Sequence, residues 1–428
     1  MAAVFLLWGL VAPVRAGQEI QGRDEVVRLG QVTGEDAFEG QLADLLKDKQ
    51  RADKLLAVGA KMAKAKDPGL NYTAAMTLAQ VALERKELSA TEAFYRVCME
   101  HAVKLQSTIK IVESYGGLIY ALYNNNKYGS AALVCRELLE LPTGDGKPRV
   151  YIVEADDGGG DLLYVEDPTF NLTRKVEPEV RRLMIMAIAK DGRYDLALKL
   201  VDNLVRQKDD WQERQLRGWV LNEASRFAEA AKVYEDVIER IDKDKNLEQK
   251  AKDFYSERYR QVLSLIYVDL KQIDKAAEHL KFLIDRYPHK PGFYNDLGYI
   301  YADNDMNLKE AEEMIRKALD LDREQRKKDP KFKGAEDADK GAYLDSLGWV
   351  LYKQKRYEDA KKYLILALKD KSAQHIEIFD HLGETYIALG QHEAALDAWR
   401  QGLKVAGDDR REQQRKAEVE KKIAKYMK

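Results

Sequence analysis

Apolar positions along most of the chain return every three to four residues, with charged residues between them. That is the period at which a helix presents one face to a core. The stretch YLDSLGWVLYKQKRYEDAKKYLILALKD, residues 343–370, shows it plainly. Large apolar residues flank Gly348 and Ala360, and the polar KQKRY between them reads as a turn. No proline lies between Pro178 and Pro288, and none follows Pro330. A proline costs about 3 kcal/mol inside a helix, so such stretches, rich in Ala, Leu, Glu and Lys, predict an all-α fold.

Small residues mark a longer period. Gly348 precedes Ala360 by twelve positions, as Gly383 precedes Ala395, Gly218 precedes Ala230 and Ser264 precedes Ala276. From Gly298 to Ala311 the step is thirteen. Four residues after each alanine stands a bulky side chain: Leu364, Trp399, Tyr234, Leu280 and Ile315. The anchor itself returns after 34 residues from 264 to 298 and after 35 from 348 to 383. Two antiparallel helices account for the spacing. The first would carry the glycine or serine where its partner comes close, the second the facing alanine with its bulky residue one turn on. One such hairpin cannot bury its own apolar face, but a stack of them can. A chain of 428 residues, too long for one compact core, is accommodated that way.

These residues resemble the tetratricopeptide repeat family, whose pattern sets Leu-Gly and an aromatic on helix A, and Ala, an aromatic and Ala on helix B. Three stretches carry it best: LGYIYADNDMNLKEAEEMIRKAL, LGWVLYKQKRYEDAKKYLILAL and LGETYIALGQHEAALDAWRQGL. Together they look like the repeats of exported bacterial members. Pro288, 24 residues after Ser264, falls where the family closes helix B. The resemblance covers residues 212–406 and implies an α-solenoid, a right-handed superhelix of helix-turn-helix repeats. Upstream it weakens. DGRYDLALKLVDNLV offers Ala197, Val201 and Leu204 behind a first helix at 179–190, and NNKYGSAALVCRELLEL offers Ala131, Cys135 and Leu138. Residues 72–105 read as a degenerate pair with Ala93 and Val97.

The organisation that follows is a signal peptide at 1–16, a partly disordered then helical segment at 17–69, degenerate repeats at 70–141, an insertion at 142–178, the main array at 179–407 and a charged capping helix at 408–428. The signal is read from the apolar run Ala2–Ala12 and the small Ala16 and Gly17; the run is too short for a bilayer and lacks a preceding Lys or Arg. It predicts an exported, periplasmic or envelope-associated protein, with a cytoplasmic one as the alternative. In the insertion, β-branched and aromatic residues surround Asp157-Gly158-Gly159-Gly160, the mark of a β-hairpin. Residues 322–340 hold thirteen charges in nineteen positions and read as an overlong helix B running into a solvated connector. Val419, Ile423 and Tyr426 fall at helical spacing in the last segment.

Composition and motifs narrow the function. Lys plus Arg number 71 and Asp plus Glu 73, without the basic surplus that nucleic-acid binding requires. Cys98 and Cys135 are the only cysteines, too few for a disulfide framework or a zinc site, and their apolar helical contexts read as buried thiols. TGDGKP at 143–148 has the Gly-Lys of a phosphate loop, but Pro148 stands where Ser or Thr is required. No two histidines fall at i, i+4, and no G-x-S-x-G occurs. Asp242, Asp244 and Asn246 imitate the start of a calcium loop whose obligatory glycine is here Leu247. The expectation is a non-enzymatic chain with no cofactor and no metal.

In the family the inner wall of the superhelix, lined by helices A, holds peptide ligands. Carried onto this chain, the positions three before and one and four after the anchor give Asp345, Trp349 and Tyr352 around Gly348, and Asp380, Glu384 and Ile387 around Gly383. Around Gly298 they give Asn295, Tyr299 and Ala302, and around Gly218 Gln215, Trp219 and Asn222. Acids and aromatics there suit a basic or aromatic extended segment; the competing reading has the aromatics packed between repeats. Members that clamp a C-terminal carboxylate use asparagine just after the anchor. This chain has Trp219, Leu265, Tyr299, Trp349 and Glu384 there, which disfavours that mode. The expected partner is therefore a protein or peptide held along the wall, with no nucleic acid. The alternatives are a structural subunit of an envelope or secretion assembly, or an accessory subunit of an enzyme.

Overall fold

The structure, a computed structural model, describes residues 20–105, 107–140, 150–153, 161–164, 171–328, 339–371, 374–407 and 410–427. The expected signal at 1–16, the glycine-rich tip at 157–160 and the connector at 329–338 lie outside the described residues. The chain divides into two units, Met1–Ala224 and Ser225–Lys428.

The first unit opens with α1 (Arg23–Leu29), α2 (Glu35–Lys47) and α3 (Lys49–Ala65), a stretch where the sequence reading placed partial disorder. Arg23 ties α1 to the loop after α3 through Asp67, Nε to Oδ2 at 2.6 Å. Three hairpins follow: α4 (Tyr72–Glu84) with α5 (Leu88–Lys104), α6 (Thr108–Asn124) with α7 (Tyr128–Glu140), and α8 (Asn171–Lys190) with α9 (Tyr194–Gln207). α10 (Trp211–Glu223) packs on α8 and α9. Between α7 and α8 the backbones of β1 (Val150–Val153) and β2 (Asp161–Tyr164) pair antiparallel, with Val150 opposite Tyr164. Both cysteines are buried free thiols, and burial pushes that of Cys135 up to about 12.

The second unit starts with α11 (Phe227–Lys243). Four hairpins follow, α12 (Gln249–Asp269) with α13 (Ile273–Arg286), α14 (Pro291–Asp303) with α15 (Leu308–Lys327), α16 (Gly341–Lys353) with α17 (Tyr357–Ala367), and α18 (Ile376–Ala388) with α19 (His392–Val405). α20 (Arg410–Tyr426) ends the chain. From α4 on, each helix packs mainly on its sequence neighbours, so the core is a row of small interfaces and the architecture is an α-solenoid. No described helix is long and apolar enough to cross a membrane.

The anchors lie where the spacing puts them. A Cβ on Gly348 would stand 2.6 Å from Leu364 Cγ and 3.2 Å from the Ala360 carbonyl oxygen; on Gly298 it would meet Ile315 and the Ala311 carbonyl at 2.7 and 2.8 Å. The glycine admits the partner helix, and the alanine and bulky residue close the gap.

The turn of every hairpin holds a left-handed residue: Lys86, Asn126, Gly192, Lys271, Asp305, Lys355 and Gly390. Its N–H and the next one bond back to the end of the first helix, as Lys355 does to Tyr352 and Arg356 to Leu351. Five residues past it stands the small facing residue, as in Lys355 to Ala360, Gly390 to Ala395 and Lys271 to Ala276. This corrects the register of residues 72–105. Five past Lys86 is Thr91, which is fully buried, with buried Tyr95 one turn on; Ala93 and Val97 are only partly buried. The thirteen-residue step from Gly298 to Ala311 has its cause here as well: Asn307, a second left-handed residue, lengthens that turn.

Candidate functional site

In the second unit α14, α16 and α18 lie side by side, so the first helices of three hairpins make one wall. Their side chains form two connected clusters. The first is centred on His381, which is fully buried on α18. Its Nδ1 lies 2.9 Å from Oδ1 of buried Asp345 on α16, and a carboxylate can only accept, so the imidazole donates. The ring stacks on Trp349 at 4.0 Å between centroids, and Trp349 stacks in turn on Tyr352 at 4.8 Å. Trp349 Nε1 donates to Asp303 of α14 at 3.2 Å, and the Lys353 ammonium sits 5.0 Å from the indole. Burial opposes a charge on His381, but Asp345 and Glu377 outweigh it and hold the imidazole pKa above its ordinary value.

The second cluster is acidic. Glu377, Asp380 and Glu384 fall at i, i+3 and i+7 on α18 and so share a face. Tyr299 of α14 donates its hydroxyl to Glu377 at 2.7 Å, and burial, then Glu377, drives that phenol far above its ordinary pKa. Asp380, 1% exposed, accepts from Trp399 Nε1 of α19 at 3.0 Å. The Arg and Lys partners come from α20. Arg415 reaches Glu377 at 2.7 Å and Asp380 at 3.2 Å, and Lys422 reaches Asp380 at 2.7 Å and Glu384 at 2.8 Å. Burial works against the Glu377 carboxylate, yet His381 and Arg415 hold its pKa below the usual range.

α20 does more than sit on the last hairpin. Val419, Ile423 and Tyr426 pack against Trp399, Ile376 and Ala395 of α18 and α19. Its first turn, however, lies beside the start of the unit. Arg410 pairs with Asp269 of α12 at 3.2 Å, approaches Ser225 Oγ at 3.2 Å and lies 4.8 Å from the Phe227 ring. Arg411 meets the same Asp269 at 3.3 Å.

The residues expected to bind a partner are thus distributed unevenly. Tyr299, Asp345, Trp349 and Tyr352 come together around His381, with Asp345 and Trp349 buried in the wall, not open on it. Asp380 and Glu384 come together under α20. Asn295 is buried on α14, and its Oδ1 has no hydrogen-bond partner among the described residues. Trp219 belongs to the first unit, on α10, where the Lys190 ammonium lies 5.8 Å from its ring. Sequence reasoning did not single out His381, Glu377, Arg415 or Lys422. A signal for three of them was present: acids at 377, 380 and 384 and bases seven apart at 415 and 422 are matching faces.

Among the described residues no group of three or more His, Cys, Asp or Glu could hold a metal ion. Two family models, both described as tetratricopeptide repeat, match residues 262–326 and 341–371. A TPR repeat-containing protein of Pseudomonas aeruginosa is 30% identical over 199 residues, which is 46% of this chain and 29% of that protein. The chain thus spans under a third of that relative's length. Among solved structures, a thermophilic TPR protein of Thermus thermophilus aligns over 49% of this chain and 98% of its own, at 19% identity and a TM-score of 0.36. A tetratricopeptide repeat protein of Parabacteroides merdae aligns over 58% and 92%, at 12% identity and a TM-score of 0.40.

Proposed function

We propose, from the premise that this chain belongs to the tetratricopeptide repeat proteins, that it is a non-enzymatic scaffold that holds a cationic protein segment along α14, α16 and α18. One observation carries the reading: Glu377, Asp380 and Glu384 line one face of α18, beside the half-buried Tyr352, and each of the three pairs with a cation. A buried carboxylate is costly unless a cation or donor compensates it, so such a wall selects for positive charge and rejects negative charge. The aromatics behind it are stacked into a rigid backing, which limits the entropy lost on binding.

The test is fluorescence anisotropy on the full chain with lysine- and arginine-rich peptides of unrelated sequence and an acidic peptide as control. The cationic peptides should bind, and bind more weakly as salt rises. The double variant Glu384→Lys, Tyr352→Ala should weaken them about tenfold, or 1.4 kcal/mol. Equal binding of the acidic peptide, or an indifferent variant, would remove the wall as the site. Export is a separate proposal resting on residues 1–16; N-terminal sequencing of the mature chain decides it.

A further inference from the structure

The contacts of α20 fit a ligand better than an end cap. A cap needs only the last hairpin, yet α20 also reaches Asp269 of α12, and its Arg415 lies in the field of Tyr299 and Asp303 of α14. Its apolar anchor is thin: Val419 alone is fully buried, whereas α16 and α18 each bury eight or more residues. What holds it is charge. Seven basic and three acidic residues make up its charged side chains, and four of the basic ones meet acids of the array. Without the helix, Asp380 would keep the Trp399 N–H, and Glu377 the Tyr299 hydroxyl and the nearby His381 and His375, and the two would lose their Arg and Lys partners.

We propose that α20 is a built-in occupant of the partner-binding wall, and that the partner it stands in for is a basic amphipathic helix. That helix carries cations seven residues apart, as Arg415 and Lys422 are, over an apolar stripe spaced like Val419, Ile423 and Tyr426. The proposal rests on the wall being the binding site. It adds that the wall is occupied in the free chain, and that a partner binds by displacing a helix of the same chemistry. Apparent affinity is then reduced by the fraction of molecules with α20 docked.

The experiment uses the full chain and a labelled synthetic peptide of residues 408–428 as probe. The variant Arg415→Glu, Lys422→Glu loosens the resident helix and leaves the wall intact. It should bind the probe at least tenfold more tightly than the wild type does, and a probe carrying the same two glutamates should bind neither. A second variant, Arg410→Glu, Arg411→Glu, alters only partly exposed side chains and so does not depend on tolerance at the buried end. It should give a smaller gain in the same direction. Equal affinity for wild type and both variants overturns the proposal. A dimer of the wild type by light scattering, with α20 lent to a second copy, overturns the intramolecular assignment. The unrelated cationic peptides separate the two readings. If they bind the wild type and gain nothing in either variant, the wall stands as the site and self-occupancy falls. If they bind neither wild type nor variant, the wall itself falls, and this proposal with it.

Discussion

Gly383 has no room for a methyl group. A Cβ there would stand 2.2 Å from Nε1 of Trp399, which is fully buried and fixed by its hydrogen bond to Asp380, so neither partner can yield cheaply. Gly383→Ala should therefore destabilise the chain by about 1–3 kcal/mol through overpacking, despite alanine's better helix propensity. Gly116 is the matched control: it is exposed in α6, and a Cβ there would meet nothing within 4 Å. Gly116→Ala should leave stability unchanged or raise it by about 0.5–1 kcal/mol. Urea denaturation midpoints of the two variants check both signs. At this scale the sequence spoke clearly where a single hairpin settles the contact, as for Gly348, Ala360 and Leu364. It was silent on His381, whose place is set by Asp345 in the preceding hairpin and by an indole face that no spacing rule marks.

At the scale of elements, the hairpin turn is more regular than the anchor. Later repeats carry Gly or Ser twelve, or at Gly298 thirteen, residues before the facing alanine, while two of the corresponding positions upstream are the buried Ile119 and Ile185. Those two pairs pack with a side chain where the family places a small residue; the pair at 72–105 has the small Ala79 there, but Thr91 stands where the family places alanine, and that is where the register was misread. The left-handed residue persists through them, but most of its occupants are Lys, Asn or Asp, which also serve as ordinary surface residues. An L-residue pays roughly 1–2 kcal/mol for that conformation, and glycine pays nothing for it. Gly390→Val should therefore destabilise the last hairpin by at least about 1–2 kcal/mol, since a β-branched residue fits that region worst. Lys355→Gly should be neutral or stabilising by up to about 1 kcal/mol. Thermal midpoints at low protein concentration test the pair. A loss on Lys355→Gly would mean that the Lys355 side chain contributes something beyond the turn.

Across the whole molecule, balanced totals conceal segregation. The chain's net charge is only -2, yet a basic helix and an acidic wall face each other in its second unit. Composition could not show this, because it is blind to where charges meet. The same locality governs stability. With the core divided into neighbour-to-neighbour interfaces, damage at one hairpin should weaken its neighbours and fade with distance along the stack. In Gly383→Ala, amide hydrogen exchange should therefore rise most in α18, α19 and α20, less in α16 and α17, and least in α12 and α13. The rise in α20 should exceed that in α19, because its hold on the array runs through α18 carboxylates whose backbone the substitution displaces. Exchange that rises uniformly from α12 to α20 would instead require one cooperative core, and a chain built of separable hairpins has none to offer.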